Sequence, residues 1–381
     1  MNPKTILGVA AAVCVPAIAS AEAGFPIGEA AMLHLVLDGQ IRYDDNVELT
    51  SGGDDDMVYI VAPGVELNYN GGLSKGFIGL TEQIIRYGSH KTYAGELFSA
   101  LGEYSYEGAA STTKARVSYR ELSQASTAIQ NRDQAVRHDE FASSLGSDWA
   151  LTGKTRFGAG LFYNHTNYPG AAYADLENYG IPVDLYYAAT PKVDLSVGYR
   201  YRISRVKEVA SATVPQDSKD EFFNVGARGE FTPKLKGQVR IGYGLRTFDH
   251  VAAGQDDTVD QFSFDGLVTY VFSPKTSFDL ELSRDFSNSV TGVSQEVFRV
   301  RGGGKFEFTP EWSAVAGVSY EISRYANGRD DDFVTGDVGV LYTMSENVSF
   351  NASYLHRVNY STFRVYDFSN NVLSVGVTLR Y

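Results

Sequence analysis

The sequence holds one cysteine, Cys14, and it lies in an apolar stretch at the very start. The rest of the chain therefore has no thiol, which excludes a disulfide scaffold and a Cys-ligated metal. Long apolar runs are missing too. After residue 23 no stretch approaches the 18 or so apolar residues of a membrane-spanning helix. Mean hydropathy is only −0.20, well below that of a helical membrane protein. Positive charge is in deficit, with 33 Lys and Arg against 46 Asp and Glu, a net −13 that argues against nucleic acid as a partner. What is plentiful is glycine (38), tyrosine (25) and phenylalanine (22).

The first residues have the anatomy of a secretory signal. Lys4 is the charge of a short n-region, and an apolar segment of about 14 residues follows from Ile6 to Ala19. Ala19-Ser20-Ala21 and Ala21-Glu22-Ala23 offer small-x-small cleavage sites, so residues 1–23 read as a leader cut after Ala21 or Ala23. Val13 stands where a lipoprotein signal needs a small residue, so no lipid anchor is expected at Cys14. Residues 24–381 read as one domain. A chain of 381 residues would suit two or three soluble domains, but all-β barrels run longer as one unit.

Tight-turn signals recur along that domain at a spacing of about 35 to 42 residues. They are Asn70-Gly71-Gly72, Gly108-Ala109-Ala110-Ser111, Leu151-Thr152-Gly153-Lys154, Thr190-Pro191-Lys192, Thr232-Pro233-Lys234, Ser273-Pro274-Lys275, Thr309-Pro310-Glu311 and Ser345-Glu346-Asn347. Longer polar loops alternate with them, at 47–56, 125–137, 208–218, 251–258 and 327–331. A propeller gives no reason for this two-beat rhythm. An outer-membrane barrel does, with short periplasmic turns and longer extracellular loops.

Between the turns the pattern has period two. Val193, Leu195, Val197, Tyr199, Tyr201 and Ile203 alternate with Asp194, Ser196, Gly198, Arg200, Arg202 and Ser204. Val239, Ile241, Tyr243 and Leu245 oppose Gln238, Arg240, Gly242, Gly244 and Arg246, and Phe278, Leu280 and Leu282 oppose Asp279, Glu281 and Ser283. Alternation over about ten residues matches a tilted transmembrane strand, whereas sandwich strands are nearer five or six. Eight tight turns with both termini on one side give an even number. The fold class expected is all-β, a transmembrane antiparallel up-and-down barrel of about 18 strands, with 16 as the alternative. The least regular strands are 76–87, 296–308 and 353–362.

Trp149, Phe231, Phe272, Phe308 and Trp312 sit beside the tight turns, where a membrane interface favours rings with one wet edge. Lys75, Lys114, Lys154, Lys192, Lys234, Lys236 and Lys275 lie there too, placed either to meet anionic headgroups or simply to be solvated. The last strand sets Leu373, Val375, Val377, Leu379 and Tyr381 on one face. With Leu379 and the terminal Tyr381, it resembles the C-terminal signal that barrel-assembly machinery recognises.

Several segments carry a resemblance to the putative beta-barrel porin 2 family. They are Ile41-Arg42-Tyr43-Asp44-Asp45-Asn46-Val47, Val61-Ala62-Pro63-Gly64-Val65-Glu66-Leu67, the Phe272-Ser273-Pro274-Lys275 turn and the closing Val375-Gly376-Val377-Thr378-Leu379-Arg380-Tyr381. The likeness extends over essentially the whole of residues 24–381. It implies a single barrel in the bacterial outer membrane, and in some members a channel paired with exopolysaccharide export. A periplasmic export protein is then an implied partner, beside membrane lipid, lipopolysaccharide and the assembly machinery. No catalytic motif and no cofactor comes with the resemblance.

By strand parity the lumen receives Arg42, Arg116, Arg120, Arg156, Arg200, Arg202, Arg228, Arg240, Arg246, Arg299 and Arg301, together with Asp194, Glu230, Asp279 and Glu281. Parity adds Arg380 and the carboxylates Asp38, Glu66, Glu103, Asp148, Asp184, Asp265, Glu307, Glu321 and Asp337. Such charges must avoid lipid, where a midplane Arg costs roughly 2–4 kcal/mol. Two readings stand: Arg–carboxylate ladders that brace the wall, or an arginine track for anionic solutes or polymer. Mixed charge weakens any single-sign filter.

Acidic clusters at Asp44-Asp45, Asp54-Asp55-Asp56, Asp256-Asp257 and Asp330-Asp331-Asp332 read as a solvated surface, or as bridges through divalent cations to lipopolysaccharide. None has EF-hand spacing, and no metal site is assigned. An enzyme is a distant reading. Asp249-His250 and His138-Asp139 are adjacent, but neighbours on a strand point to opposite faces. Three functions remain in order: a channel, a structural or adhesive barrel with a closed lumen, and a barrel enzyme. Short loops leave little material for a plug, which favours the channel.

Overall fold

The computed structural model describes residues 24–123, 136–169, 173–207, 217–249, 251 and 256–381. The leader expected at 1–23, most of the loops expected at 125–137 and 208–218, and His250 lie outside the described residues. No helix among them is long and apolar enough to cross a membrane.

A short strand β1 (Phe25–Ile27) folds back on β2 (Ala31–Asp44). The wall then runs through β3 (Asp56–Asn70), β4 (Ser74–Tyr87), β5 (Gly95–Glu107), β6 (Ser111–Ser123), β7 (Arg137–Ala150), β8 (Thr155–Asn167), β9 (Asp175–Thr190) and β10 (Val193–Lys207). It continues through β11 (Ser218–Thr232), β12 (Leu235–Phe248), β13 (Thr258–Ser273), β14 (Thr276–Asn288), β15 (Ser294–Glu307), β16 (Trp312–Tyr325), β17 (Asp330–Thr343), β18 (Val348–Ser361) and β19 (Phe368–Arg380). Every neighbouring pair is antiparallel, and β19 pairs with β2, from Val372 opposite Asp44 to Arg380 opposite Val36. The result is a closed barrel of strands β2–β19, in agreement with the count of 18. The Gly302-Gly303-Gly304 run interrupts nothing, because β15 passes straight through it.

Four of the short turns share a local cause. Thr190, Thr232 and Thr309 each accept, through the side-chain oxygen, the backbone N–H groups two and three residues on, at 3.0 to 3.3 Å. Ser273 accepts from Lys275 at 3.2 Å. The proline that follows each of these presets φ for the bend. A Thr/Ser-Pro-x step therefore reverses the chain in the fewest residues and fixes the register of the next hairpin.

Register then decides facing. Val197 lies opposite Leu185 and Val225, and Ile241 opposite Val225 and Phe264, so one apolar row wraps the outside. Trp149, Phe272, Phe308 and Trp312 are exposed at the short-turn end. Higher up, Tyr199, Tyr320 and Tyr354 face outward and donate to Glu221 (2.7 Å), Asp332 (2.9 Å) and Asn371 (2.6 Å). That second ring was not read from the sequence. Its signal was there: each tyrosine is followed, on the same strand or the next, by a polar residue nearer the long-loop end.

The interior is not uniform. Toward the long-loop end it is packed, with Val58, Ile60, Phe222, Phe286, Phe368 and Val372 buried among Asp220, Thr335, Asn359 and Asn370. Toward the short-turn end inward charges such as Glu103, Arg116, Glu66 and Arg380 are accessible. The expectation of purely solvated acidic loops fails at Asp44, Asp56 and Asp331, which are buried. Each sits at a strand end with inward parity, and each finds donors there. Asp44 accepts from Asn370, Asp56 from the N–H groups of Ser89 and His90, and Asp331 from Arg329.

Candidate functional site: an arginine-lined constriction

One hairpin departs from the wall. β13 and β14 pair from Ser273 opposite Thr276 up to Phe264 opposite Arg284, and there the pairing ends. β13 continues to Thr258 on β12 alone, and β14 continues to Asn288 on β15 alone. Above that fork the tip of the β14–β15 hairpin turns into the lumen. Gly292, at φ 78°, closes its turn, and the Val290 carbonyl accepts from Ala174 N–H, 2.8 Å, in the β8–β9 connection. The expectation that loops leave nothing to fill the bore is corrected here, because the filling comes from a bent hairpin and not from a long loop.

What holds the tip is a row of charge. Arg202 on β10, Asp220 on β11 and Arg246 on β12 are directly opposite one another in the register. Arg202 Nε donates to Asp220 Oδ2 at 2.7 Å, and Arg246 Nε donates to Oδ1 at 2.7 Å. From the other side the hairpin supplies acceptors. Arg202 Nη1 and Nη2 donate to Asp285 at 3.1 Å, and Nη2 to the Phe286 carbonyl at 2.9 Å. Arg246 Nη1 donates to the Ser287 carbonyl (2.9 Å), Asn288 Oδ1 (3.0 Å) and Ser294 Oγ (2.8 Å). Asp220 is 0% exposed and Arg246 1%. Charges so deeply buried persist only when paired and hydrogen-bonded on all sides, and here they are.

Arg200 and Arg240 are held differently. Arg200 donates one bond to Asp285, 3.0 Å, and its guanidinium lies 3.9 Å above the Phe222 ring. Its Nε is buried with no acceptor, and Asn224 Oδ1 nearby is buried with no donor. Arg240 gives Nε and Nη2 to the Gln238 side-chain oxygen at 2.7 and 2.6 Å, and reaches Asp184, three strands away, only at 3.8 Å and Asp265 at 3.4 Å. It can reach that far because Gly226 lies opposite it on β11, and a Cβ there would meet the Arg240 stem at 2.7 Å. Arg200, Phe222, Asn224, Arg240, Ser263 and Asp265 line a common pocket beside the bent hairpin.

The remaining arginines named by parity also face inward, and most meet a carboxylate. Arg116 pairs with Glu103, Arg120 with Glu140 (2.5 Å), Arg299 with Glu321, and Arg301 with Asp337 (2.8 Å). Arg228 joins Asp194 (3.2 Å) to Asp148 (2.7 Å) while stacking 3.4 Å over Tyr186. Arg42 bonds Gln40 at 3.0 Å, and Arg156 stands exposed at the short-turn rim. Glu230 is bound by Lys192 at the Thr190-Pro191-Lys192 turn, and Asp279 accepts from Thr269 at 2.5 Å. Glu281 lies opposite Arg301. Asp220, Asp285 and Glu140 were missed. Extending the parity of β11, β14 and β7 by a few residues would have found them.

At the seam, the Tyr381 carbonyl accepts from Leu35 N–H (2.7 Å) and Tyr381 N–H donates to the Leu35 carbonyl (2.9 Å). Its ring meets Phe25 edge-on at 5.3 Å.

Residues 205–381 match the model of the family described as putative beta-barrel porin 2. Over those residues the chain is similar to a family of outer-membrane porins, and its closed antiparallel barrel is the fold such a family implies. The match takes in β11–β19, so the Ile41–Val47 and Val61–Leu67 segments lie ahead of it, and the resemblance is narrower than those segments implied. Among the curated proteins none matches the chain. Among solved structures, the porin-like barrel is similar to OpdK of Pseudomonas aeruginosa with vanillate (13% identity, 92% of this chain and 99% of that one, TM-score 0.46). OccAB4 of Acinetobacter baumannii is similar at 11% identity, covering 93% and 99%, with TM-score 0.46. OccK2 of Pseudomonas aeruginosa, in complex with glucuronate, is similar at 10% identity, covering 92% and 98%, with TM-score 0.48.

Proposed function

We propose that the porin-like barrel is a passive channel whose constriction favours small organic anions. The observation that carries this reading is the contrast between two classes of arginine. Arg202 and Arg246 spend their donors on Asp220 and the hairpin. Arg200 Nε has no acceptor, Arg240 Nη1 has only the distant Asp184, and the two side chains meet in one pocket. A guanidinium fork matches a carboxylate or phosphate, and the buried Phe222 ring beneath Arg200 holds that guanidinium in place. Fixed positive charge in a narrow bore raises local anion concentration. Asp265 and Asp184 close by keep the attraction moderate, so that a bound anion can leave again.

The bent hairpin narrows the bore and supports a small solute over a polymer. The exopolysaccharide route implied by the family resemblance would require the tip to swing out. We read the chain as a channel and not an enzyme. His138 stacks on Tyr168 inside, while Asp139 faces out, so the adjacent pair does not converge.

Reversal potentials in planar bilayers test this reading. Replacing Arg200 and Arg240 together by Gln should lower the anion-to-cation permeability ratio by about twofold or more. An unchanged ratio in a conducting double variant would assign both side chains to wall bracing.

A further inference from the structure

We propose that Glu48, Asp54 and His90 form a site for one divalent transition-metal ion at the extracellular end, with Zn²⁺ the best chemical match. Glu48 and Asp54 lie in the β2–β3 connection, and His90 lies in the β4–β5 connection. The pairing of β2, β3 and β4 brings the two loops side by side. One ligand atom from each residue lies within 4.8 Å of the others. Zn²⁺ takes N and O ligands at about 2.0 to 2.2 Å, so ligand atoms around one ion stand about 3 to 3.5 Å apart. Side-chain rotation closes the difference.

His90 is prepared for the role by a residue outside the three. Its Nδ1 is 2.9 Å from Asp56 Oδ2. The Asp56 side chain is 2% exposed and also accepts from the backbone N–H groups of Met57 (2.7 Å), Ser89 (3.0 Å) and His90 (2.7 Å). A carboxylate so surrounded by donors stays an acceptor, so Nδ1 carries the proton and Nε2 the lone pair. Nε2 in turn faces Glu48 Oε1 at 4.0 Å. A metal-binding histidine oriented by a buried carboxylate on its far nitrogen is the usual outer-sphere arrangement. Glu48 and His90 are mostly shielded, and Asp54 is exposed, which leaves an entry path and room for a water as fourth ligand. One imidazole with two carboxylates suits Zn²⁺ and its neighbours in the transition series. Ca²⁺ and Mg²⁺ prefer six or more oxygens. Bound metal would tie the two loops together over the mouth.

The test is calorimetric titration of the EDTA-stripped, detergent-solubilised barrel with ZnCl₂, then with CaCl₂. The expected result is one Zn²⁺ per chain and far weaker Ca²⁺ binding. His90→Ala and Glu48→Gln should each weaken Zn²⁺ binding at least about tenfold, and Asp56→Asn by about 10- to 100-fold through the outer shell. Asp55→Asn, an exposed neighbour outside the set, should leave it unchanged. Equal binding in His90→Ala, or Ca²⁺ binding as tight as Zn²⁺, would overturn the proposal. Co²⁺ loaded into the unaltered protein gives a reading that needs no variant. Visible d–d absorption displaced by equimolar Zn²⁺ supports the site, and the spectrum of free aqueous Co²⁺ refutes it.

Discussion

Arg246 on β12 donates to the backbone carbonyl of Ser287 on β14, 41 residues along the chain and past β13, while its Nε stays bonded to Asp220. The contact joins the wall to the bent hairpin, and it makes one side chain responsible for both. Arg202 repeats the arrangement through Asp285.

Release of this clamp should widen the channel. Arg246→Ala removes three bonds to the hairpin and leaves Asp220 paired with Arg202. Single-channel conductance in planar bilayers should rise, and thermal stability should fall. Arg246→Lys keeps the charge without the fork and should fall between the two. Asp220→Asn is the harsher change, because it takes from Arg246 its carboxylate and from Arg202 one of two, and breaking a buried pair costs about 3–5 kcal/mol. A conductance that does not move in Arg246→Ala would mean that the hairpin stays in place without its clamp.

Facing can be tested in pairs. Val197 (56% exposed) and Leu280 (45%) point toward lipid, and arginine at either should impair assembly, at roughly 2–4 kcal/mol near the midplane. Ser283→Arg puts the charge in the accessible lumen and should assemble. Ser196 also faces inward, but it is 7% exposed and packs beside Gly226, so Ser196→Arg overfills its site and should cost about 1–3 kcal/mol. Folding yield from heat-modifiability gels orders the four, and equal yields for Leu280→Arg and Ser283→Arg would reverse the assigned faces.

Orientation is a separate matter. Cysteines at Asp55 and Asn327, exposed at the long-loop end, should react with an impermeant maleimide on intact cells. Those at Gly153, Lys192 and Lys275 should react only after lysis. Asp331 is unsuitable as a probe, since it is buried against Arg329. Labelling of both sets in intact cells would contradict the placement of the short turns in the periplasm.

The barrel was legible because its two signals are local. Thr/Ser-Pro-x turns reset the register by side-chain bonds to the next two N–H groups, and period-two alternation then assigns every face, from Val197 to Arg202 alike. The bent hairpin was not legible for the same reason. From Phe278 to Phe286 the apolar face is broken only by Arg284, and Phe286 looks like any lipid-facing ring. What turns it inward is a set of acceptors for Arg202 and Arg246 that lie 41 to 84 residues away in sequence. Asp220 escaped because it follows a polar loop at 208–218 and reads as part of it. His90 escaped because its chemistry depends on Asp56, which becomes its neighbour only when β3 and β4 pair.

The closing strand yields the last prediction. Tyr381 holds two backbone bonds with Leu35 and a ring contact with Phe25, so it seals the lower end of the seam between β2 and β19. Its backbone and its ring can be separated experimentally. Tyr381→Ala keeps both backbone bonds and loses the ring. Deletion of Tyr381 loses both bonds and moves the chain terminus up to Arg380, whose side chain is paired with Glu66 inside. If closure depends on the backbone, deletion should lower refolding yield in lipid vesicles well beyond Tyr381→Ala. If instead the aromatic ring is what assembly machinery reads, both variants should refold alike in vesicles, and both should fail in cells. Refolding in vesicles and outer-membrane levels in cells, measured on the same two variants, distinguish seam from signal. A third result, full yield of both variants in both settings, would remove Tyr381 from either role.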